Sequence, residues 1–342
     1  MSKIGTDIPR KRRRWRIAAI SIGVVAFLVG GSVALYAWSL AQAWDNKTEK
    51  IADAFPSDDT RPPVAAPATG QNQPQNILLL GSDTRGSVGD SIAGLSGQRS
   101  DSIMVAHIPA DRSAVYVMSV MRDSWVEIPG HGYAKINAAL SLGGVPLAVQ
   151  TIEGMLGARM DHVAVIDFNG FVGVTDALGG VSIDNPIAFQ SSHLKGHFYP
   201  QGPQNMNGEE ALAFVRERYA FSDGDFQRVR NQRQFIKAVM STILTPETLT
   251  SPKRVTDLVG AIAPHLAVDE GLNSGYVAKL GSEIRNVRVD NVTFFGAPTD
   301  GTGTSPDGQS IVNVDWDEIA KLKEAFASDQ LHLYTPGVPT PQ

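Results

Sequence analysis

The sequence lacks cysteine altogether and carries few charged residues. None of the 342 residues is cysteine, which excludes disulfide bonds, thiolate zinc sites, iron–sulfur clusters and a cysteine nucleophile. Charged residues make up 19% of the chain and hydrophobic residues 42%. This composition excludes intrinsic disorder as a description of the whole chain, and the length is sufficient for a folded core.

The net charge of −5 conceals an uneven distribution of charge along the chain. Residues 1–16 hold seven basic side chains and one acidic one, whereas residues 41–342 hold 23 basic and 34 acidic ones. An acidic domain repels the phosphates of nucleic acids. The basic block is therefore interpreted as a membrane topology signal, and no nucleic-acid partner is expected.

Residues 17–40 form an uncharged stretch between the basic and acidic parts. A helix of this length measures about 36 Å, which is enough to span a bilayer. Because the basic side stays in the cytoplasm, we predict a cytoplasmic tail at 1–16, a single transmembrane helix at 17–40 and an extracytoplasmic domain at the cell membrane. A signal peptide cleaved after Ala43 is the alternative, but its apolar core is normally only about 7–15 residues long.

The remainder of the chain divides by composition. Residues 56–75 contain five prolines, so 41–75 is predicted to be an extracytoplasmic linker. A compact domain then starts at Asn76, continues through 246–335 and ends in a disordered tail at 336–342. Strand-like runs at 102–108 and 114–120 predict an antiparallel hairpin, and helical patterns alternate with strands. This order predicts an α/β fold with a mixed central sheet.

Two carboxylates flank the first two predicted strands of this domain. Asp83 follows the first strand and Asp101 opens the second. If these strands are neighbours, both carboxylates meet at one edge of the sheet and suit Mg²⁺, which fills its other positions with water and phosphate oxygens. Mn²⁺ is the other hard cation that such a site accepts. The alternative is an ordinary role in turns and helix caps.

Six arginines lie at the ends of predicted elements: Arg85, Arg99, Arg122, Arg216, Arg218 and Arg228. The planar guanidinium, with its five donors, is well suited to phosphate oxygens. Together with the paired carboxylates, the arginines suggest a Mg²⁺-bound pyrophosphate and transfer of a phosphoryl-linked group.

Whether these side chains share one site depends on the local backbone conformation. Arg216 and Arg218 are two residues apart, so they face one pocket only if the preceding helix has ended. Arg228 and Gln232 are four apart and lie on the same face of a predicted helix. For Arg122 the alternative is a surface ion pair with the next residue, which contributes little to stability.

Several ordered sequence blocks resemble the LytR-CpsA-Psr family. The similarity extends from about residue 76 to residue 240. Its blocks are NILLLGSDTR at 76–85, RSDSIM at 99–104, SVMRD at 119–123, KINAA at 135–139, DALGGV at 176–181, LAFVRER at 212–218, GDFQR at 224–228, and Gln232. Residues 76–245 are thereby identified as a catalytic domain, and one departure is Met121, which stands where the family usually has proline.

The resemblance implies a three-layer α-β-α fold and a phosphotransferase activity. Members of the family move a glycopolymer from a polyprenyl-pyrophosphate carrier to peptidoglycan, generally to the 6-hydroxyl of muramic acid. Carried over to this chain, it implies that Asp83 and Asp101 hold Mg²⁺ and that Arg99 and Arg122 act on the reacting phosphate. It further implies that pyrophosphate contacts Arg85, Arg99, Arg122, Arg216, Arg218, Arg228 and Gln232, and that the lipid lies against Val165, Phe168, Phe171, Val172 and Val174.

Two other functions and one catalytic role stay open. A non-catalytic module that binds or senses polyprenyl phosphates carries the same residues. A transcriptional attenuator is disfavoured, because only residues 1–16 remain on the cytoplasmic side. Asp123 is either the base that removes the acceptor proton or a residue that orients Arg122. The sequence does not identify the glycopolymer.

Overall fold

The computed structural model describes residues 35–64, 72–82, 100–249 and 251–334. The predicted tail at 1–16, residues 17–34 of the predicted membrane helix and the tail at 336–342 lie outside the described residues. Three predicted site residues, Asp83, Arg85 and Arg99, also lie outside them.

The described chain alternates strands and helices. The helices are α1 (35–47), α2 (Ala138–Leu156), α3 (Phe168–Ala177), α4 (Gly208–Arg216), α5 (Asp225–Ile243), α6 (Pro246–Leu249), α7 (Pro252–Ile262), α8 (Ser274–Glu283), α9 (Trp316–Ala327) and α10 (Leu331–Tyr334). The strands are β1 (Glu49–Ile51), β2 (Gln75–Ser82), β3 (Ser100–Ile108), β4 (Val115–Val120), β5 (Trp125–Ile128), β6 (Gly132–Lys135), β7 (His162–Ile166), β8 (Val181–Asn185), β9 (Phe189–Gln190), β10 (Phe198–Tyr199), β11 (Gly202–Met206), β12 (Leu266–Asp269), β13 (Val292–Gly296), β14 (Thr299–Thr304) and β15 (Ser310–Val314).

A seven-stranded sheet in the order β1-β12-β7-β2-β3-β4-β13 forms the centre of the domain. β3 pairs with β2 and with β4 in antiparallel fashion, which confirms the predicted hairpin. β2 runs parallel to β7, and β4 runs parallel to β13. The sheet is therefore mixed, as predicted.

Helices cover both faces of this sheet. Side chains alternate along β2, so that Leu78 and Leu80 join one buried cluster with α2 and α9, as expected for a strand of period two. Ile77 and Leu79 face the opposite cluster, to which α5 contributes Ile236. The result is a three-layer α-β-α arrangement around the sheet.

The segment before β2 differs from the predicted linker at 41–75. β1 pairs with β12 as the edge strand of the central sheet, and the buried Arg61 donates to the buried Glu153 of α2 at 2.7 Å. Composition could not predict this, because β1 has only three residues and the prolines follow it. Residues up to about 61 therefore belong to the folded domain.

Helix α1 is attached to the same domain by side-chain hydrogen bonds. The indole Nε1 of Trp44 donates to the carbonyl of Leu272 at 2.9 Å. Asp45 accepts from the backbone N–H of Ser274 at 2.8 Å, and from the Ser274 hydroxyl at 2.6 Å, at the start of α8. These contacts hold α1 against the C-terminal part of the chain.

Helix α2 is the one described helix long and apolar enough to cross a membrane. It packs into the core on one face of the sheet, which is the environment of a buried helix in a folded domain. The sequence pattern favours two short helical stretches here, at 136–141 and 147–156, and in the structure they form this one helix. Its kink at Gly143 and Gly144, where Gly144 has a φ of 66°, separates the two predicted segments.

Candidate active site

A largely apolar cavity of about 500 Å³ lies between the sheet and helices α3, α4 and α5. Its floor is the second face of the sheet, and its apolar lining includes Leu79, Met104, Ala164, Ile166, Phe168, Phe171, Leu212, Val215, Phe235 and Ile236. Such a concave apolar chamber is typical of a ligand site.

The predicted lipid-contacting residues are only partly in this cavity. Phe168 and Phe171, three apart on α3, both line it. Val165 borders it, but its side chain belongs to the core cluster of the opposite sheet face. Val172 and Val174 do not line the cavity, because they project from other sides of α3: Val172 lies against the start of α4, and Val174 is buried.

One end of the cavity is polar, and it gathers most of the predicted phosphate-binding residues. We call this end the mouth, and its residues are Asp101, Arg122, Arg216, Arg218, Arg228 and Gln232. Ser82 at the end of β2 pairs with Ser100 at the start of β3, and Arg122 lies two residues beyond β4. The antiparallel order of these strands therefore brings distant segments to one edge of the sheet.

Arg122 is held at the mouth by two carboxylates. Its NH1 donates to Asp101 Oδ1 at 2.5 Å, and its Nε lies 3.8 Å from Asp123 Oδ2. Burial lowers the pKa of Arg122, but the Asp101 and Asp123 carboxylates outweigh that effect and raise it overall. Among the described residues, no group accepts a hydrogen bond from the buried Nε. Arg122 is thus charged and fixed at the mouth by the Asp101 carboxylate.

Arg228 and Asp225 form a second charged pair at the start of α5. The Arg228 NH2 donates to Asp225 Oδ2 at 2.7 Å, and Arg218 NH1 lies 4.0 Å from Asp225 Oδ1. Burial raises the pKa of Asp225 and lowers the pKa of Arg228. Arg228 Nε is buried without a hydrogen bond to any described residue. Asp225 is a residue type that often caps a helix, but here it lies in the first turn of α5, and Gly224 with a φ of 50° is the cap.

Arg216 and Arg218 share the mouth because α4 ends between them. Asn207 caps the start of α4 in a capping box with Glu210. The residue after Arg216 has a φ of −65° and a ψ of 130°, which is extended backbone. The Arg216 guanidinium lies 4.2 Å from the centre of the Phe168 ring. The helix has therefore ended before Arg218, and Arg216 and Arg218 face one cavity, as the sequence requires for a shared site.

Tyr219 and His193 also line the cavity, although neither was predicted to do so. Tyr219 lines it and accepts a hydrogen bond from Arg218 NH2 at 2.5 Å, and this contact lowers the pKa of the Tyr219 phenol. Its position directly after Arg218 was the available signal. His193 also lines the cavity, but it lies between β9 and β10, about 25 residues from the arginine motif, and no pattern pointed to it.

The described residues contain no group of three or more His, Asp or Glu side chains suited to a metal ion. Mg²⁺ needs only one or two carboxylates when phosphate and water complete its shell. Asp101 supplies one such carboxylate at the mouth, beside the arginines that suit phosphate. Of the two predicted ligands, Asp101 lies at the mouth with Arg122 hydrogen-bonded to its Oδ1, and Asp83 lies outside the described residues.

The arrangement suits an amphipathic molecule with an apolar tail and an anionic head. The chamber buries apolar surface, which stabilises a bound chain by about 0.8 kcal/mol per CH₂ group. Four arginines converge at its end, where partial burial strengthens their interaction with negative charge.

Comparison with known proteins gives consistent results. Residues 35–328 match the model of the LytR_cpsA_psr family. The chain is 36% identical over 230 residues to the probable cell wall biosynthesis protein LcpB of Corynebacterium glutamicum, covering 65% of this chain and 55% of that protein, so it spans about half the length of that relative. It is 28% identical over 319 residues to the polyisoprenyl-teichoic acid–peptidoglycan teichoic acid transferase TagU of Enterococcus faecalis, covering 90% of this chain and 95% of that protein.

Solved structures share the fold. The crystal structure of B. subtilis TagV matches with a TM-score of 0.64 and 22% identity, over 76% of this chain and 98% of that one. A structure described as TagT bound to LI-WTA matches with a TM-score of 0.61 and 23% identity, over 82% of this chain and 98% of that one. With the family model covering most of its length, the chain belongs to the LytR_cpsA_psr family.

Proposed function

We propose that this protein transfers a glycopolymer from a polyprenyl-pyrophosphate carrier to peptidoglycan and forms a phosphodiester link. The observation that carries the proposal is the apolar cavity that opens on Arg122, Arg216, Arg218 and Arg228. A polyprenyl chain matches the chamber, and a pyrophosphate matches the arginines.

The names of relatives support the same class of reaction. TagU of Enterococcus faecalis is named as a transferase of teichoic acid from a polyisoprenyl carrier to peptidoglycan, and the match covers 90% of this chain. TagU of Bacillus mycoides is 31% identical over 232 residues, which cover 67% of this chain and 72% of that protein. We do not specify which glycopolymer this protein transfers.

The proposed reaction is an attack by a peptidoglycan hydroxyl on phosphorus. The oxygen of the muramic acid 6-hydroxyl forms a bond to the phosphorus that bears the glycan. The bond from that phosphorus to the bridging oxygen breaks, polyprenyl phosphate leaves, and the hydroxyl proton passes to a base. Arg122 and the mouth arginines stabilise the charge that develops on the bridging oxygen.

The proton acceptor is assigned to Asp123 as a candidate only. Its carboxylate lies 3.4 Å from Lys135 Nζ, and its other oxygen lies 3.8 Å from Arg122 Nε. Both contacts also suit a residue that orients Arg122, so the two roles named from the sequence remain.

A divalent cation belongs to the proposal. Asp101, together with Asp83, would hold Mg²⁺ or Mn²⁺, which would add positive charge beside the phosphates. Arg99 and Arg85 are proposed as further phosphate contacts on the grounds of the family motif. The protein is proposed to be a single-pass membrane protein with a cytoplasmic N-terminus, which would place the cavity where a lipid carrier is available.

The proposal is tested with the full-length protein in detergent, a labelled lipid-pyrophosphate glycan, peptidoglycan oligomers and Mg²⁺. A phosphodiester-linked product that disappears in Arg122→Ala and Asp101→Ala supports transfer. Tight binding of the lipid without product, under conditions in which a known relative turns over, would identify a non-catalytic binding module instead. Deletion of the gene followed by wall-sugar analysis would identify the polymer.

A further inference from the structure

A fully buried carboxylate separates the two arginines at the end of α4. Glu217 has 0% of its surface exposed. Its Oε2 accepts from the backbone N–H of Ser192 at 2.6 Å, and its Oε1 accepts from the Ser192 hydroxyl at 2.8 Å. The backbone N–H groups of Arg218 and Tyr219 donate to Oε1 at 3.0 Å, and that of Ala220 donates at 3.3 Å.

A carboxylate that is fully buried must be stabilised by compensating interactions. Burying a charge is costly unless hydrogen bonds or an opposite charge compensate for it. Among the residues that the structure describes, the hydrogen-bond partners of the Glu217 carboxylate are four backbone N–H groups and one hydroxyl, with no cation among them. The carboxylate therefore organises the backbone of residues 217–220 and ties it to the segment at Ser192.

This organisation determines where the neighbouring arginines point. In a continued helix, Arg216 and Arg218 would project about 200° apart. Glu217 is instead extended, with φ −65° and ψ 130°, so both arginines reach the cavity while the Glu217 side chain points inward. The backbone N–H groups that α4 would otherwise use to continue are occupied by the Glu217 carboxylate.

The segment around Ser192, which hydrogen-bonds to Glu217, also contacts the mouth. His193 follows Ser192 and lines the cavity, and its Nε2 lies 3.0 Å from the Arg216 carbonyl oxygen. Residues 216–218 are therefore contacted twice from this segment. Ser192 donates to the Glu217 carboxylate, and His193 lies at the Arg216 carbonyl oxygen.

We propose that Glu217 is a positioning residue for head-group recognition, acting through Arg216 and Arg218. The proposal rests on the proposed function, because it takes the pyrophosphate of a polyprenyl carrier as the ligand of these arginines. Glu217 itself does not touch that ligand. Its carboxylate fixes the end of α4 so that the two guanidiniums converge on one anion.

The test is the variant Glu217→Gln in the full-length protein. The amide keeps the shape but presents an NH₂ group to N–H donors, so the turn loses its charged acceptor. The readout is the ratio of the Kd for polyprenol to the Kd for polyprenyl pyrophosphate, which isolates recognition of the head group. We expect this ratio to fall about tenfold, and KM for the carrier to rise by a similar factor with little change in kcat.

A second buried glutamate provides the matched control. Glu153 is 1% exposed and accepts hydrogen bonds from Arg61 and from the Met160 backbone, but it does not line the cavity. Glu153→Gln is expected to lower stability without changing the ratio of the two Kd values. The proposal is overturned if Glu217→Gln leaves the ratio unchanged, or if Glu153→Gln changes it equally.

Failure of the proposed role of Glu217 can be distinguished from failure of the proposed function. If the wild-type protein binds polyprenyl pyrophosphate but makes no product, the ratio of the Kd values still tests Glu217. If the wild-type protein does not prefer polyprenyl pyrophosphate to polyprenol, the proposed ligand is wrong. The proposed role of Glu217 in recognising that ligand is then wrong as well.

Discussion

Asp101 Oδ1 accepts a hydrogen bond of 2.5 Å from Arg122 NH1, although 21 residues separate the two along the chain. The β3–β4 hairpin brings them together, since Asp101 lies near the start of one strand and Arg122 follows the end of the other. The pair holds a charged guanidinium at the polar end of an apolar cavity.

Replacement of Arg122 is expected to abolish transfer while leaving the fold intact. Arg122→Ala removes a positive charge from the mouth, where the proposed pyrophosphate would bind, so we expect turnover to fall at least about 100-fold. Arg122→Lys keeps the charge but loses the planar fork, and is expected to lose about tenfold or more. Initial rates of glycan transfer at saturating carrier measure both effects.

Arg230→Ala is the matched control for the Arg122 variants. Arg230 lies on α5 like Arg228, but it bonds to Gln227 and Asp223 and does not line the cavity. Its turnover should stay within about twofold of the wild type, as expected for a surface ion pair. A loss in Arg230→Ala equal to that in Arg122→Ala would mean that the mouth is misidentified.

A larger side chain in the cavity floor is expected to weaken binding of long lipids selectively. Ala164→Phe projects a ring into the cavity beside Leu79 and Ile166, so fewer CH₂ groups of a polyprenyl chain can be buried. At about 0.8 kcal/mol per CH₂ group, we expect the Kd for a long-chain polyprenyl pyrophosphate to rise at least about tenfold. The Kd for inorganic pyrophosphate should change by less than about threefold; equal losses for both ligands would argue against a lipid in this cavity.

Loss of the Arg61–Glu153 pair is expected to destabilise the domain strongly. The pair is buried on both sides, and Arg61 also donates to the carbonyl of Met160. Arg61→Ala leaves Glu153 buried without its cation, so urea denaturation should give a loss of about 3–5 kcal/mol in the free energy of unfolding.

Arg159→Ala serves as the comparison, because Arg159 pairs with the exposed Asp58. Its loss should be below about 1 kcal/mol. If Arg61→Ala is no more destabilising than Arg159→Ala, the segment before β2 is not part of the folded domain.

The buried carboxylate of Glu217 predicts a specific dependence of stability on pH. Burial alone would raise the pKa of Glu217, but hydrogen bonds from Ser192, Ala220 and Arg218 together lower it below the ordinary value of 4.5. A lowered pKa means that the contribution to stability is complete above 4.5 and is lost as pH falls through the folded-state pKa.

Glu217→Gln should remove that part of the acid dependence. Neighbouring side chains such as Arg216, Arg218 and Glu210 are present in both proteins, so the difference between the two curves isolates the Glu217 carboxylate. The free energy of unfolding, measured from pH 7 to pH 3, should converge for the two proteins at low pH. Parallel curves would contradict the lowered pKa.

Much of the core architecture could be predicted from local pattern. The run at 77–80 and the hairpin at 102–120 are continuous apolar segments bounded by turn residues, and both are strands of the central sheet. Arg228 and Gln232 were placed on one helical face by spacing alone, and both line the cavity. Such features depend on residues close in sequence, which is why pattern is sufficient.

Features that depend on distant partners could not be predicted in this way. β1 is recognisable only through its pairing with β12, more than 200 residues later. Val165, Val172 and Val174 are expected at the lipid only through the family resemblance, and the pleat of β7 and the rotation of α3 turn their side chains elsewhere. The position of His193 at the mouth depends on Glu217 and Ser192, which no local pattern connects.

The central claim is tested most directly by identifying the lipid released during turnover. The full-length protein is incubated with a polyprenyl-pyrophosphate glycan and peptidoglycan oligomers, and the lipid and glycan products are identified by mass spectrometry. Attack on phosphorus predicts polyprenyl monophosphate in equal amount to a phosphodiester at the muramic acid 6-position. Release of polyprenyl pyrophosphate, with a glycosidic link to peptidoglycan, would contradict the account.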